Sequence, residues 1–332
     1  MDELELTILG KTMTQSKYQN VIGVDVASLK LDIHNAHFKQ HSIIANDRSE
    51  IESFVKRIVR SKQSTLVVME ATGGYENQLV DALHDAEIDC AVTNPLQIRN
   101  FAKGCGLLEK NDKIDAQIIA RFGQVVEPIL KKKPSESEKK LRAMVHRRDQ
   151  ILSQVAAEHN RKKQTADSET KSMIEQALRF YKQQIKDVDR RIAQVVAQCE
   201  TLATKAKILE SCPGVGAATI GMLLSELPEL GQLNRGQIAK LVGVAPITKD
   251  SGKKQGKRAT FAGRAMIRKV LYMAALVSTR YNAAMKRFYQ RLLAKGKPKK
   301  VALVAVMRKL LVTLNTMVKN NQPWSERKLA LK

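Results

Sequence analysis

Between Ile174 and Leu202, apolar side chains recur at alternating steps of four and three: Ile174, Leu178, Tyr181, Ile185, Val188, Ile192, Val195, Cys199 and Leu202. A seam of that period stays on one side only of a long helix covered along its length by a partner. A shorter seam precedes it, through Leu141, Val145, Leu152, Val155 and His159, opened by Ser135 and Glu138 at capping-box spacing and closed by the polar QTADSET. Two long helices are therefore expected, paired with each other or with another subunit. They divide the chain into three stretches, 1–134, 135–206 and 207–332, whose patterns differ.

Ahead of the seam the chain alternates strand and helix. VIGVDVA is an apolar run suited to a buried strand, with LDIHNAHF and HSIIAN as its neighbours. LVVME is a second buried strand, ATGGYENQLVDALHDA turns into a helix, DCAVTN gives a further strand, and DAQIIARF returns to helical period. Strands first and alternating units afterwards predict a mixed α/β sheet.

Behind the seam the chain is helical. In ILESCPGVGAATIGMLLSEL a Pro-Gly-Val-Gly turn separates two apolar helices, the pattern of a helix-hairpin-helix, and Gly214 and Gly216 would let backbone N–H groups approach a phosphate closely. Plain packing explains such a turn equally. Further helices are predicted over 234–242, about 263–294 and about 299–319, with Gly296 and Pro298 between the last two.

This last stretch also carries the charge. From Ser251 to Lys332 there are 21 Lys and Arg against one acid, Glu326, so most of the formal net charge of +24 sits in the final quarter. That is the electrostatic footprint of a polyanion-binding surface, with nucleic acid the commonest partner. A membrane partner is not expected, because runs such as Val301 to Met307 fall short of the roughly 20 residues that span a bilayer. MDELELTILG lacks the basic-then-apolar order of a secretory signal, so a cytoplasmic location is expected. Cys90, Cys105, Cys199 and Cys212 show no paired metal spacing and read as small core residues.

Carboxylates stand where a core should be. Asp25 lies mid-strand among valines and Glu70 ends LVVME, while Asp112 and Asp115 stand three apart at a helix start and share a face. Each has an ordinary reading: Asp112 as an N-cap with Asp115 on the helix dipole, and Asp25 or Glu70 paired with a buried Lys or Arg. Together they form a set of hard oxygen donors suited to Mg²⁺, with Mn²⁺ as a substitute. Two such ions about 3.5 to 4 Å apart clamp the attacking and leaving oxygens of a phosphodiester.

Ser251 follows an aspartate and precedes a run of cations; it reads as a loop residue, a phosphate contact or a nucleophile. No GxSxG elbow surrounds it, and all six histidines lie at or before His159, which leaves a Ser-His-Asp triad without local support. A GxxxxGK[ST] loop is also missing from the sequence, against an ATPase.

The blocks GVDVASLKLD, MEATGGYE, NPLQIRNFAKGCGLLEKNDKIDAQIIARFG, PGVGAATIGMLLSELPELG, LVGVAPITKDSGKKQGKR and GKPKKVALVAVMRKLLVTLN resemble the DEDD transposases of one insertion-sequence family. These are relatives of the Piv DNA invertases and include the bridge-RNA-guided recombinases. The resemblance runs from about Val21 to Trp324 in the same order. It implies a RuvC-like, RNase H-type first domain whose acidic positions fall on Asp25, Glu70, Asp112 and Asp115 and bind Mg²⁺. The coiled-coil helices match by pattern only; in the C-terminal transposase domain, whose own pattern is mostly helical, the resemblance implies that Ser251 is the nucleophile, forming a covalent phosphoserine bond to DNA while a guide RNA pairs with donor and target.

Below the resemblance the chemistry is coherent. A serine hydroxyl needs a metal or base to take up its proton, and the acidic site is the activator on offer. Lys253, Lys254, Lys257, Arg258, Arg264, Arg268 and Lys269 would line the phosphate path beside it. With aromatics at 4% there is little material for stacking readout, in keeping with sequence choice delegated to RNA pairing. A composite site in trans, a dimer through the seam and a tetrameric synaptic assembly are expected. The alternatives are a RuvC-like nuclease or junction resolvase that uses water, and a non-enzymatic architectural nucleic-acid-binding protein.

Overall fold

The computed structural model describes residues 17–106, 112–247, 259–260 and 263–325, with the side chains of Asp112 and Lys113 outside that set. The chain divides into two compact units, Met1–Lys133 and Pro134–Lys332.

The first unit is built on a five-stranded sheet in the order β3-β2-β1-β4-β5. β1 (Asn20–Val26), β2 (Lys30–Asn35) and β3 (Gln40–Ala45) form an antiparallel meander, and β4 (Thr65–Glu70) and β5 (Asp89–Thr93) add to β1 in parallel. The parallel additions require crossovers, supplied by α1 (Arg48–Ser61) and α2 (Asn77–Asp85). Ile51, Phe54, Val55 and Ile58 of α1 and Leu79, Val80 and Leu83 of α2 pack on one face, against Ile22, Val24, Leu31, Val67 and Met69. α3 (Pro95–Gly104) and α4 (Asp112–Val125) cover the other face, where Ile98, Ile118, Ile119 and Phe122 meet Val21, Leu66 and Val68. Both faces of β1 and β4 are thus covered, which is why these strands read as unbroken apolar runs rather than alternating ones.

α1 and α3 were not among the expected elements, although Ile51, Phe54, Val55 and Ile58 of α1 recur at helical spacing and the local signals of both helices are ordinary. Asp47 caps α1 by accepting from the Glu50 N–H at 3.0 Å, and Asn94 caps α3 with Pro95 at its first position.

The second unit is all helical: α5 (Glu136–Gln164), α6 (Ser168–Gln198), α7 (Glu200–Glu210), α8 (Ala217–Glu226), α9 (Arg235–Val242), α10 (Ala265–Tyr281), α11 (Ala283–Ala294) and α12 (Lys299–Lys319). The capping box on α5 is formed in both directions between Ser135 and Glu138. α5 and α6 lie against each other as a helical hairpin, and every seam residue from Ile174 to Leu202 is buried or half-buried. The seam nevertheless kinks at Cys199, whose extended backbone ends α6 and starts α7.

A boundary at 206–207 does not separate two bodies. Val188, Ile192 and Val195 of α6 share one core with Leu209, Leu223, Leu271 and the buried side of α12, so the long helices and the basic region form a single unit. The helix expected over 263–294 is likewise two, because the Asn282 side chain caps α11 through the Met285 N–H. α12 is longer and more apolar than its run Val301 to Met307 suggested: 21 residues with a mean hydropathy of 1.7 over its most apolar window, half of which is buried inside the unit. By length and composition it could cross a membrane, a test that the core helix of a globular unit passes as well.

Candidate functional site

The register of the sheet brings the first two acidic positions together. Val24 of β1 pairs with Met69 of β4, so the next step along both parallel strands sets Asp25 beside Glu70. Side chains alternate between faces, and Asp25 shares its face with Gly23 and Val21, as Glu70 does with Val68 and Leu66. That is the face covered by α3 and α4.

Glycine contacts fix the direction in which α4 crosses β1. A Cβ on Gly23 would lie 2.2 Å from the Ala116 carbonyl oxygen and 2.3 Å from the Ala120 nitrogen; one on Gly123 would lie 2.7 Å from Val68 Cγ2 and 2.9 Å from Val21 Cγ1. α4 therefore runs antiparallel to β1, and its first turn, bearing Asp112 and Asp115, comes over the strand end that bears Asp25 and Glu70. Four residues scattered over 90 positions of sequence reach one end of one sheet face. Donor chemistry fits a hard divalent ion. Among the described residues no three acidic, His or Cys side chains come close enough to hold a metal, and the Asp112 side chain lies outside them.

A further carboxylate, missed in the sequence, lies on the same face. Asp32 of β2 pairs directly with Asp25 and is only 3% exposed. Its charge is met by Lys30 Nζ at 3.0 Å and by His41 Nε2 at 3.5 Å, the latter too long for a hydrogen bond. The signal for it lay in KLDIH, where Leu31 and Ile33 alternate with Asp32 as core residues alternate with their opposite face.

The loop after Glu70 is held by Glu76. This buried carboxylate accepts from the Thr72 hydroxyl at 2.6 Å, the Gly74 N–H at 2.9 Å and the Thr72 N–H at 3.3 Å. Burial alone would raise its pKa, but the Thr72 hydroxyl and the backbone N–H groups of the loop outweigh it and hold the carboxyl below its ordinary value. Gly73 and Gly74 turn the loop with φ of 86° and 135°. Asn46 Nδ2 then ties the Ala27 and Tyr75 carbonyls together, joining the loops that follow β1 and β4.

In the helical unit, Ser251, Lys253, Lys254, Lys257 and Arg258 lie outside the described residues. Of the cations expected beside them, Arg264 is committed to Glu229 through two bonds of 2.7 and 2.6 Å and also donates to the Glu226 carbonyl. Lys269 meets Asp149 at 2.6 Å, and Arg268 donates to the Val242 carbonyl at 3.1 Å. Gly214 packs against Ser278, where a Cβ would come within 2.4 Å of Ser278 Oγ, whereas a Cβ on Gly216, at the start of α8, would meet nothing within 4 Å.

Residues 22–171 match a family model of DEDD transposases of the IS110 type, described as "Transposase", and residues 206–290 match "Transposase IS116/IS110/IS902 family". The two matches define a DEDD transposase, here a mixed-sheet domain followed by a mostly helical transposase domain. The chain belongs to the IS110 family of these enzymes. It is 28% identical over 317 residues to the pilin gene-inverting protein of Moraxella lacunata, covering 92% of this chain and 98% of that one. It is 27% identical over 122 residues to an insertion element IS110 uncharacterized 43.6 kDa protein of Streptomyces coelicolor, covering 36% of this chain and 30% of the other. Among solved structures, T. thermophilus RuvC in complex with a Holliday junction substrate matches 34% of this chain and 99% of its own, at 13% identity and a TM-score of 0.27. Membership of a DEDD transposase family implies a divalent metal and DNA as the partner.

Proposed function

We propose that this transposase is an RNA-guided DNA recombinase that breaks and rejoins strands through a covalent phosphoserine at Ser251, with Mg²⁺ as its metal. The observation that carries this reading is the antiparallel seating of α4 on β1, which gathers the positions of Asp25, Glu70, Asp112 and Asp115 at one end of one face. These four would hold the metal, and when bound it would supply positive charge to the phosphate under attack and acidity to a coordinated oxygen.

The Ser251 Oγ attacks phosphorus and loses its proton to a carboxylate or a water at the acidic site; the bond from phosphorus to the leaving sugar oxygen breaks, and that oxygen takes up a proton. Attack by a sugar hydroxyl of another strand reverses the step and frees the serine. One phosphodiester is exchanged for another, so no nucleotide hydrolysis is needed. The cations beside Ser251, from Lys253 to Arg258, neutralise the phosphates of the strand being held.

Two DNA partners require more than one subunit. Met173 and Phe180, seven residues apart on α6 and 65% and 61% exposed, support a dimer along this helix, and a pair of dimers for synapsis. The guide RNA, the trans arrangement of the site and a cytoplasmic location belong to the same proposal.

The test is denaturing electrophoresis of the protein with its co-purified RNA, both DNA sites and Mg²⁺. A protein-DNA adduct lost in Ser251→Ala and in Asp25→Asn is expected. Cleavage with free ends and no adduct, unchanged in Ser251→Ala, would replace this reading with a water-using nuclease. No strand breakage under any divalent metal, with binding intact in Asp25→Asn, would leave an architectural protein.

A further inference from the structure

Arg264 and Lys269 are committed to carboxylates, whereas other described cations of the helical unit are not. A groove of about 1600 Å³ runs between α11, α12, the first residue of α9 and the chain that follows that helix. It is larger than the roughly 300 to 1,000 Å³ of a small-molecule site, so an extended ligand suits it better. Five cations line it: Arg235, Lys297, Lys300, Arg308 and Lys309. Among the described residues no carboxylate lines the groove and none is paired with these five.

The floor is apolar. α12 buries one side in the core and turns Val301, Val304 and Val312 to the groove, facing Phe288 and Leu292 of α11. Lys309 Nζ stands 4.7 Å from the centre of the Phe288 ring, and Arg291 stands 5.3 Å from the same ring. Two cations on one ring repel; burial first, and then the Arg291 charge, lower the Lys309 pKa. An arriving anion would offset both by favouring the charged form of Lys309.

One end of the groove reaches Pro246, Ala259 and Thr260, the described residues that flank the segment holding Ser251. Ile247 and Ala259 pair across the base of that segment, with N–H to carbonyl distances of 2.9 and 3.4 Å, so its two ends are pinned beside the groove.

We propose that this groove holds an unpaired DNA strand leading to Ser251, its phosphates on the five cations and its bases against the apolar floor. The inference rests on the reading of the chain as an enzyme that transfers DNA strands through Ser251. Duplex DNA presents phosphate and sugar to a surface, and Phe288, Val301 and Val304 offer those groups nothing; an unpaired base has an apolar face to bury. DNA rather than RNA is the occupant because the groove ends where the nucleophile's segment is anchored.

The experiment measures binding of the full chain, in EDTA, to a fluorescein-labelled 15-nucleotide DNA strand, the same sequence as RNA, and the DNA duplex. Lys297 and Lys300 are fully on the surface, so Lys297→Glu/Lys300→Glu keeps the fold. The control, Lys163→Glu/Lys186→Glu on α5 and α6, changes the charge equally. The groove variant is expected to lose affinity for the DNA strand about tenfold and to flatten the salt dependence by about 1.4 logarithmic units per decade, against about twofold for the control. A photo-crosslinking residue at Val301 is expected to capture the DNA strand. Equal losses in both variants, a larger loss of RNA or duplex affinity than of DNA-strand affinity in the groove variant, or capture by Val301 of a second copy or of anionic vesicles would each overturn the proposal. Binding without metal is read separately from adduct formation. Loss of the adduct with groove binding intact sinks the serine reading alone; a normal adduct with unchanged strand binding in Lys297→Glu/Lys300→Glu sinks the groove alone.

Discussion

Gly23 of β1 and Ala116 of α4 meet backbone to backbone: a Cβ added to Gly23 would lie 2.2 Å from the Ala116 carbonyl oxygen, with Ala120 closing the other side at 2.3 Å. Neither neighbour is a flexible tip that can move aside. Gly23→Ala must therefore lift α4 from the sheet, and with it the turn that bears Asp112 and Asp115. Overpacking of this kind costs about 1–3 kcal/mol. The variant is expected to unfold at lower temperature and, while still folded, to lose metal-dependent DNA cleavage; Gly104→Ala, whose Cβ would meet nothing, is the control and should leave both unchanged.

Arg264 was expected to contact phosphate, and its two bonds to Glu229 give it a structural task instead. The pair is partly buried, so removing either member strands the other. Arg264→Ala is expected to lose roughly 1.5–3 kcal/mol of stability, the range for hydrogen bonds to charged groups. Arg264→Ala/Glu229→Ala should recover part of that loss. Denaturant unfolding of the cycle checks the coupling, and the salt dependence of DNA binding checks the role: a phosphate contact would reduce its slope, whereas the ion pair predicts no change.

Much of the first unit was legible because its physics is local. VIGVDVA and LVVME are strands because both faces of β1 and β4 are covered, and unbroken apolar runs of that length have few other uses. Asp25 and Glu70 stood out for the same reason, as charges in positions that ought to be apolar. What brings Asp112 and Asp115 to them is not local: it depends on Gly23 facing Ala116 and Gly123 facing Val68, contacts between residues about 90 and 55 apart in sequence that no periodicity records. Asp32 was hidden by the same blindness, since only the β1–β2 register makes it Asp25's neighbour. In the helical unit, charge counting found the basic region but could not tell committed cations from free ones. Arg264 finds its acid 35 residues away in sequence and Lys269 finds Asp149 at 120, whereas Lys300 and Arg308, similar in sequence, have none among the described residues.

Glu76 makes the stability of the loop after Glu70 depend on pH. Its folded pKa lies below the unfolded value, so on acidification the unfolded chain binds the proton first. The stabilisation is complete above the unfolded carboxylate value of about 4.3 and is lost as pH falls through the lower folded value. Glu76→Gln cannot accept from three donors through one charged oxygen and should be less stable at neutral pH, with the difference from wild type shrinking below about pH 4. Thermal unfolding between pH 3 and 7 measures it; a difference that is constant with pH would contradict the assignment.

The cysteines should separate by reactivity. Burial pushes the Cys90 thiol up to about 11 and Cys212 up to about 12. Cys199, at the break between α6 and α7, is shifted the other way, first by its hydrogen bond with the Thr201 hydroxyl at 3.3 Å. Since the thiolate is the reactive form, alkylation of the folded protein near pH 8 is expected to label Cys199 and to spare Cys90 and Cys212 until unfolding. Mass spectrometry of a timed iodoacetamide reaction reads the order.

The Pro-Gly-Val-Gly turn can now be tested for both of its readings with two substitutions. Gly214 has a φ of 94° and would drive a Cβ to 2.4 Å from Ser278 Oγ and 2.8 Å from the Ser278 backbone, so Gly214→Ala is expected to destabilise the helical unit by more than about 2 kcal/mol. That result reports packing and says nothing of phosphate. Gly216 has an ordinary φ of −96° and open space around it, so Gly216→Ala should fold as well as wild type. An alanine methyl there shields the N–H groups that open α8. If the turn holds phosphate, Gly216→Ala will weaken DNA binding severalfold at unchanged melting temperature; if affinity is unchanged, the turn is a packing element and the DNA is held elsewhere in the unit.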